Sequence, residues 1–434
     1  MRVAIPCTST TGPRDHGDQM QLRTILNHVS PHKGFVYGNP RLVKGRQPQI
    51  TVPIRPRSNT RPRCSRCGQQ GPVYDHQPAR RTEFVPMWGI MVFFLYAMRR
   101  VDCRRCGIVV ETVPWCHGKS PLTTRYAWFL ADWARVLSWS EVAVRFRTSW
   151  HSVYRAVRLA VEWGLAHRSL DGIGAIGVDE IATRKGHRYL TVVYQLDAGV
   201  KRLLWVGKNR TKETLDAFFD EFGGRAAALR HVCSDMWKPY LEVLKARAPA
   251  AVHVLDRFHI VAHMNKAVDE VRADEARQLK KAGQQPVLAR SRWCLLRRPE
   301  RLSERQSGRL AELLRMNLKT IKAYLLKEDL QLLWERPSVD EARTCLRNWT
   351  FRAKRSRLRP VKKVANMLRR HEDLIMNWFV ARGQMSSSAV EGMNNKAKVV
   401  TRRSFGFRTF EVTKIALYHA LGRLPSPKFA HEFF

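Results

Sequence analysis

Two pairs of closely spaced cysteines constrain the fold of this chain more than any other feature. The pairs are separated by 35 residues and consist of Cys64 with Cys67 and of Cys103 with Cys106. Four thiolates bind zinc tetrahedrally, and each Cys-x2-Cys pair supplies two of them from one tight turn. The spacing therefore predicts one structural Zn²⁺ ion held by these four residues, in a zinc-binding ribbon over residues 61–112.

The residues around the cysteines favour the same interpretation. Gly68 and Gly107 each follow the second cysteine of a pair, where a tight turn needs a left-handed residue. The largely apolar run Phe84–Met98 between the pairs is typical of a β-hairpin. Four unrelated buried cysteines or a redox Cys-x2-Cys motif are the alternatives, and His76 and the Cys116–His117 pair are spare candidate ligands.

The charge balance narrows the choice of partner. The 434 residues include 77 Lys and Arg but only 37 Asp and Glu, which leaves a formal net charge of +40. Hydrophobic residues make up 44% of the chain, so it is not a basic disordered tail. Self-repulsion of this size is costly unless a polyanion relieves it, and nucleic acid does so by releasing bound counterions. The composition therefore predicts a nucleic-acid partner.

Secreted and membrane proteins are disfavoured by three observations. Residues 1–19 contain no apolar core of signal-peptide length. The longest apolar run, Pro86–Met98, is shorter than the roughly 20 residues that a membrane-spanning helix needs. Nine cysteines, an odd number, argue against a disulfide framework. We therefore expect a soluble, intracellular protein with no membrane partner.

The segment after the cysteines predicts a helix-turn-helix DNA-binding domain within residues 118–170. Val142, Ala143 and Phe146 would pack inward from the first helix, and the second helix would follow a turn at residues 148–150. A helical hairpin with a basic surface is the alternative, because this motif is weak in sequence alone. A recognition helix would contact a major groove. The candidate DNA-binding residues here are Arg145, Arg147, His151, Arg155 and Arg158.

From Gly174 onward the pattern changes to three β-rich runs, followed by alternating helices and strands. Asp179 ends the apolar run of the first strand, and Asp235 ends that of the fourth. This order puts the first and fourth strands side by side, so the two carboxylates would face each other. Close carboxylates repel unless a hard cation joins them, which predicts a Mg²⁺ (or Mn²⁺) site.

A third carboxylate follows the serine cluster at residues 386–388, where a helix is predicted to begin. Glu391 is one of the few acids in this basic stretch, and Lys396 and Lys398 lie where they would contact backbone phosphates. Each acid taken alone is more commonly a surface residue, so only the joint placement of the three is informative. Together they would hold two metal ions, about 4 Å apart, for phosphoryl transfer.

These features together resemble the ISL-three family of bacterial insertion-sequence transposases, from about Leu22 to Gly422. The most specific segments are the cysteine quartet, GVDE, CSDMWKPY, DRFHIV and SSSAVEGMNNKAK. The resemblance implies a multidomain α/β chain, in which an RNase H-like DDE catalytic domain over residues 171–425 follows the ribbon and the helix-turn-helix. Residues 1–60 would be an accessory segment. The resemblance also implies that Asp179, Asp235 and Glu391 are the catalytic, metal-binding triad.

The distance between the second and third acids fits the same resemblance. Asp235 and Glu391 are separated by 155 residues, and from about 265 to 385 the sequence shows only helical patterns rich in Arg and Lys. Some DDE transposases carry an all-helical insertion at this place. His259, in DRFH, resembles the D-x2-H motif that follows the fifth strand in several DDE families. It would contact the scissile region, with a purely structural histidine as the alternative.

The function implied is that of a DNA transposase. It would bind the terminal inverted repeats of an insertion sequence in double-stranded DNA, cleave there and join the ends to target DNA. Synapsis of two ends implies a homodimer or a higher oligomer, in the bacterial cytoplasm and associated with the nucleoid. A non-catalytic zinc and helix-turn-helix regulator, a nuclease without strand transfer, and a decayed copy remain the alternatives.

Overall fold

The computed structural model describes residues 21–184, 188–381, 388–404 and 406–429. Within these residues the chain forms both helices and strands, which confirms the mixed α/β class. It divides into two compact units. The first contains the residues up to Trp163 together with those from Ser426 onward, and the second runs from Gly164 to Pro425. No helix in the described part of the chain is long and apolar enough to cross a membrane.

The first unit is built on a six-stranded sheet. Its strands are β1 (Phe35–Tyr37), β2 (Arg41–Val43), β3 (Gln49–Pro56), β4 (Val73–Met87), β5 (Ile90–Cys103) and β6 (Gly107–Val110). The order is β1-β3-β5-β4, with β2 paired to β3 and β6 paired to β5. Alternate residues of β5, such as Val92, Phe94 and Tyr96, are buried, so one face of the sheet packs on the core.

Strands β4 and β5 form the long hairpin that the sequence predicts between the two cysteine pairs. Its tip is Trp88–Gly89, and both residues have positive φ, 49° and 77°. Left-handed backbone at both central positions is the geometry of a type I′ turn, whose twist matches that of the strands. The hairpin therefore spans the interval between the cysteine pairs and brings its two ends together.

The expected boundary near residue 60 does not separate an accessory segment from the ribbon. Strand β3 pairs in parallel with β5, from Gln49 opposite Met91 to Pro53 opposite Leu95. Residues 35–56 therefore belong to the same sheet as the hairpin. The alternation of Ile50, Val52 and Ile54 marks β3 as a strand, but Pro53 within it obscures the pattern, because proline is normally excluded from strand interiors.

Four helices begin among the described residues of the first unit. They are α1 (Leu22–Val29), α2 (Thr124–Val136), α3 (Trp139–Arg145) and α4 (Trp150–His167). Helix α3 starts with a capping box between Ser138 and Glu141. A short turn containing Arg147, with φ of 52°, leads into α4. Val142 and Ala143 are buried as expected, and Phe146 packs against the rings of neighbouring aromatic residues.

The second unit is built on a five-stranded sheet. Its strands are β7 (Ala175–Arg184), β8 (Arg188–Gln195), β9 (Arg202–Lys208), β10 (His231–Ser234) and β11 (Val252–Leu255), in the order β11-β10-β7-β8-β9. Strands β7, β10 and β11 run parallel, while β8 and β9 are antiparallel additions. The predicted adjacency of the first and fourth strands of this region is confirmed, since β7 pairs with β10.

Eleven α-helices are described in the second unit after β9, and seven of them lie between β11 and the last two helices. They are α5 (Lys212–Phe222), α6 (Lys238–Arg247), α7 (Arg257–Lys281), α8 (Arg292–Leu296), α9 (Glu304–Leu314), α10 (Lys319–Gln331), α11 (Val339–Arg355), α12 (Arg359–Arg370), α13 (Glu372–Val380), α14 (Ser388–Arg403) and α15 (Phe410–Leu421). Across described residues 265–381 no strand forms, which confirms the all-helical expectation. This region has its own apolar core around Trp349 and Trp334.

Candidate active site and metal centre

The four cysteines meet at the two ends of the β4–β5 hairpin. Their sulfur atoms all lie within 4.8 Å of one another, and Cys67 Sγ is 3.6 Å from Cys103 Sγ. A tetrahedron of thiolates with Zn–S bonds of about 2.3 Å has sulfur–sulfur edges of roughly 3.8 Å. The donor set and its spacing therefore fit a zinc ion.

The backbone at these turns is already arranged for ligand binding. Gly68 and Gly107 have φ of 73° and 70°, as the sequence predicts for both turns. The Arg66 amide donates to Cys64 Sγ at 3.4 Å. Amide hydrogen bonds from Cys67 and Arg66 lower the pKa of the Cys64 thiol to about 6, which favours the thiolate that binds metal.

The spare candidate ligands lie outside this group. The cluster contains only the four cysteines, and neither His76 nor His117 belongs to it. Cys116 is buried and accepts a hydrogen bond from Arg80 Nη2 at 2.9 Å. Its surroundings are structural, and burial raises the pKa of its thiol.

Asp179 is the centre of a second cluster, in the second unit. The parallel pairing of β7 with β10 stops at Gly177, but β7 continues to Arg184 as the partner of β8. Asp179 therefore lies within the strand, not at its end as the apolar run suggests, yet beyond the last residue covered by β10. Its carboxylate is buried and accepts a hydrogen bond from the Glu180 amide at 2.7 Å.

Helix α14 reaches Asp179 across the face of β7. Asn394 donates a hydrogen bond from Nδ2 to Asp179 Oδ2, and the Tyr194 hydroxyl donates to Asn394 Oδ1 at 2.8 Å. Gly177 permits this approach, since a Cβ atom there would lie 2.6 Å from Val390 Cγ2. Glu391 follows Val390 and so is carried to the same part of the sheet. Of the serines expected to start this helix, residues 386 and 387 lie outside the described residues.

Asp235 directly follows β10 and is held by a separate set of contacts. Its Oδ1 accepts from the Trp237 amide at 3.0 Å, and its Oδ2 pairs with Arg210 Nη2 at 2.9 Å. Arg210 also pairs with Glu180 and lies over the Trp237 ring, 4.4 Å from its centroid. Burial and the charge of Asp235 raise the pKa of Glu180 to about 8.

His259 lies in the first turn of α7, beside Asp179. Asp256 caps that helix by accepting from the Phe258 amide at 2.9 Å, which sets the direction of the first turn. His259 Nε2 is 3.7 Å from Asp179 Oδ1, and this carboxylate raises the pKa of the imidazole to about 9. Burial raises the pKa of Asp256 to about 6, and the charges of Asp179 and Glu391 act in the same direction.

The carboxylate cluster is less compact than the cysteine cluster. Among the described residues, the four cysteines are the one group of three or more metal-ligand side chains within 4.8 Å, and Asp179, Asp235 and Glu391 do not form such a group. Their donor set nevertheless fits a hard cation, because it consists of carboxylate oxygens. Burial also raises the pKa of Asp235, and the nearby Asp179 charge adds to that increase.

Two residues that organise the cluster, Glu180 and Arg210, are not predicted from the sequence. Glu180 directly follows Asp179, so its position was a signal that could have been used. Arg210 lies in a loop after β9, in a sequence that resembles many other basic turns in this chain. Only the folded sheet brings its guanidinium between Glu180 and Asp235.

The candidate DNA-binding side chains all reach the surface. On and beside α3 and α4 these are Arg145, Arg147, His151, Arg155 and Arg158, and on α14 they are Lys396 and Lys398. Arg158 forms an ion pair with Glu162 at 2.6 Å, one turn further along α4. Val153 and Val157, on the opposite face of α4, are completely buried.

Known proteins resemble this chain over most of its length. The transposase for insertion sequence element IS1001 of Bordetella parapertussis is 31% identical over 354 residues, which cover 80% of this chain and 86% of that protein. The transposase for insertion sequence element IS1557 of Mycobacterium tuberculosis is 32% identical over 388 residues, or 83% of this chain and 86% of that protein.

One solved structure aligns weakly with the chain. The Drosophila P element transposase strand transfer complex has a TM-score of 0.41 and 10% identity, over 71% of this chain and 93% of that one. Similarity at this level carries neither fold nor function. The family model of the ISL-three transposases matches residues 176–417, which is more than half of the chain. This match and the two insertion-sequence relatives confirm the resemblance seen in the sequence: the chain belongs to the ISL-three family of transposases.

Proposed function

We propose that this chain binds the terminal inverted repeats of an insertion sequence and catalyses metal-dependent DNA cleavage and strand transfer. The observation that carries the proposal is the cluster around Asp179, in which the buried carboxylates of Asp179 and Asp256 and the half-buried Asp235 lie beside the helix that bears Glu391. Holding like charges close together at low dielectric is costly, and a bound divalent cation would offset that cost.

In the proposed site Asp179, Asp235 and Glu391 would hold two Mg²⁺ (or Mn²⁺) ions. Such ions would supply activation of a water or a 3′-hydroxyl and stabilisation of the leaving oxygen. Asn394 fixes the Asp179 carboxylate through its hydrogen bond, and Arg210 fixes Asp235. His259, whose Nε2 is 3.7 Å from Asp179 Oδ1, would contact the scissile region.

The reaction consists of two in-line displacements at phosphorus. In the first, a water oxygen attacks the phosphodiester at the end of the element, and the 3′-oxygen leaves as a hydroxyl. In the second, that hydroxyl attacks a target phosphodiester and displaces a target 3′-oxygen. Neither step forms a covalent bond between protein and DNA.

The proposed domain organisation follows from these roles. Residues 171–425 form an RNase H-like DDE domain, with strand order β11-β10-β7-β8-β9 and a helical insertion over about 265–385. Residues 61–112 form the zinc ribbon, now with β3 added to its sheet. Residues 118–170 form the helix-turn-helix, whose exposed basic face reads the terminal repeats. Two ends must be held together, so the active species is at least a homodimer on DNA.

An assay with the DNA that flanks this gene tests the proposal. The full chain is incubated with a labelled fragment carrying the element's own ends, a divalent cation and a supercoiled target plasmid. We expect new 3′-hydroxyl ends and labelled fragment joined to the target. Cleavage without joining supports a nuclease instead, and binding without cleavage supports a regulator. Either result, obtained with correctly folded protein, would overturn the proposed activity.

A further inference from the structure

One tryptophan of the helical region faces solvent although the others there pack inward. Trp334 and Trp349 are buried in the core, whereas Trp293, on the short helix α8, is 53% exposed. An isolated exposed aromatic residue needs no explanation by itself. What distinguishes Trp293 is the rigid support beneath it and the cations around it.

The helix that carries Trp293 is anchored to the core on its other side. Its neighbours Cys294 and Leu295 are buried. Lys327, itself only 2% exposed, donates from Nζ to the Leu295 carbonyl oxygen at 2.8 Å and pairs with Glu328 at 2.5 Å. A buried charged hydrogen bond of this kind restrains the backbone of α8, which carries the indole.

Two arginines lie against the indole. Arg292 Cζ is 5.2 Å from the ring centroid and Arg297 Cζ is 5.6 Å from it. Arg292 is held in turn by an ion pair with Asp269 at 3.0 Å. The surrounding segment, residues 290–309, contains seven arginines and two glutamates. The surface around the ring is therefore strongly positive and suited to phosphate.

We propose that Trp293, Arg292 and Arg297 form a binding site for single-stranded DNA. An unpaired base stacks on the indole, and the two arginines contact the phosphates on either side of it. The site extends the proposed function by adding a DNA contact remote in sequence from the catalytic acids. Duplex DNA fits the surface less well. The bases of a duplex are stacked on one another, so none is free to stack on the indole. Only the two arginines would then contact the DNA, through its phosphates.

Binding measurements on the full chain test the site. All variants are made in an Asp179→Asn background so that no DNA is cut, and fluorescence anisotropy follows a labelled oligothymidylate and a labelled duplex of unrelated sequence. We expect Trp293→Ala to weaken oligothymidylate binding by about 5- to 100-fold, the effect of losing one base-stacking contact. We expect duplex affinity to change by less than about twofold, and Trp293→Phe to keep most of the single-strand affinity.

Trp88→Ala is the matched control. Trp88 is 83% exposed at the tip of the β4–β5 hairpin, in a run without any charged residue from Phe84 to Val92. We expect it to leave oligothymidylate binding unchanged, and thermal unfolding should show that both variants remain folded. An equal loss on both DNA forms would assign the surface to duplex phosphates and overturn the proposal. So would unchanged binding in Trp293→Ala. The cleavage assay above is independent of either result.

Discussion

The four cysteines lie between residues 64 and 106, at the two ends of one hairpin, whereas the proposed catalytic acids are spread from residue 179 to residue 391. The sulfur atoms already stand at the separations that a metal requires. The carboxylates do not form an equally tight group. They are held instead by Asn394, Arg210 and backbone amides.

This contrast follows from the chemistry of the two donor sets. The four sulfur ligands come from two local turns, and these turns suffice to bring them close together in the folded chain. Carboxylates repel one another, and burial adds to the cost, so each needs its own partner from a different element. The cysteine site therefore depends on one hairpin, and the carboxylate site depends on the whole second unit.

The largest expected effect comes from the centre of the carboxylate cluster. Asp179→Asn removes the charge of a proposed metal ligand while keeping the size of the side chain, so we expect cleavage to fall at least about 10³-fold. Binding to the element's ends should persist, because the proposed DNA-reading residues lie in the other unit. Gel-based cleavage and anisotropy measure the two properties.

The matched control for this change is Asp220→Asn, which removes an exposed carboxylate on α5 of the same unit. Its cleavage rate should remain close to that of the unaltered chain. If Asp179→Asn loses end binding together with cleavage, the residue is structural and the catalytic assignment is wrong.

The next largest effect is expected from removing one of the four cysteines. Metal analysis of the purified chain should find about one zinc per chain, and Cys64→Ser should lose it, since a structural zinc contributes several kcal/mol or more to folding. We expect a lower thermal unfolding temperature for the first unit. Cys345→Ser, in α11, is the control and should retain zinc. A folded preparation without zinc would contradict the metal assignment.

A smaller effect is expected from removing a residue that holds one of the carboxylates in place. Asn394→Ala removes the amide that donates to Asp179. We expect roughly 10- to 100-fold slower cleavage, or a matching increase in the Mg²⁺ concentration required, as is typical when a residue that orients a metal ligand is lost. The neighbouring Asn395 is exposed, so Asn395→Ala serves as the control. Equal effects of the two changes would remove Asn394 from the site.

The smallest expected effect tests the close packing of α14 on β7. Gly177→Ala places a Cβ atom 2.6 Å from Val390 Cγ2 and 2.8 Å from Leu196 Cδ1. We expect a loss of about 1–3 kcal/mol in the free energy of unfolding, as overpacking usually costs. Gly224→Ala, where the space around the added Cβ atom is open, should be nearly neutral. Chemical denaturation compares them, and equal stabilities would show that the helix moves aside freely.

Some of this architecture was readable from local patterns. The cysteine spacing and the two following glycines predict the turns, and the apolar run between them predicts the hairpin. The buried face of α4, with Val153 and Val157, follows from helical periodicity. Each of these features depends on residues close together in the chain, so the sequence alone contains the necessary information.

Other features could not be predicted from the sequence, because they depend on contacts between residues that are far apart in the chain. Strand β3 joins the ribbon sheet through a parallel pairing with β5, and no local sequence pattern predicts this pairing. Arg210 enters the carboxylate cluster from a loop whose composition is unremarkable in so basic a chain. The prediction of Asp179 as a strand-end residue was wrong because β8 extends the strand beyond it.

The sequence by itself determined the family, the four cysteines and the order of strands that puts β7 beside β10, because spacing and periodicity are properties of the chain. Tertiary structure decided which groups surround each acid. Asn394 reaches Asp179 only because Gly177 leaves room for α14, and Arg210 reaches Asp235 only across the folded sheet. Like charges can be buried together only where the whole unit supplies their partners, and that condition is met in space and not along the sequence.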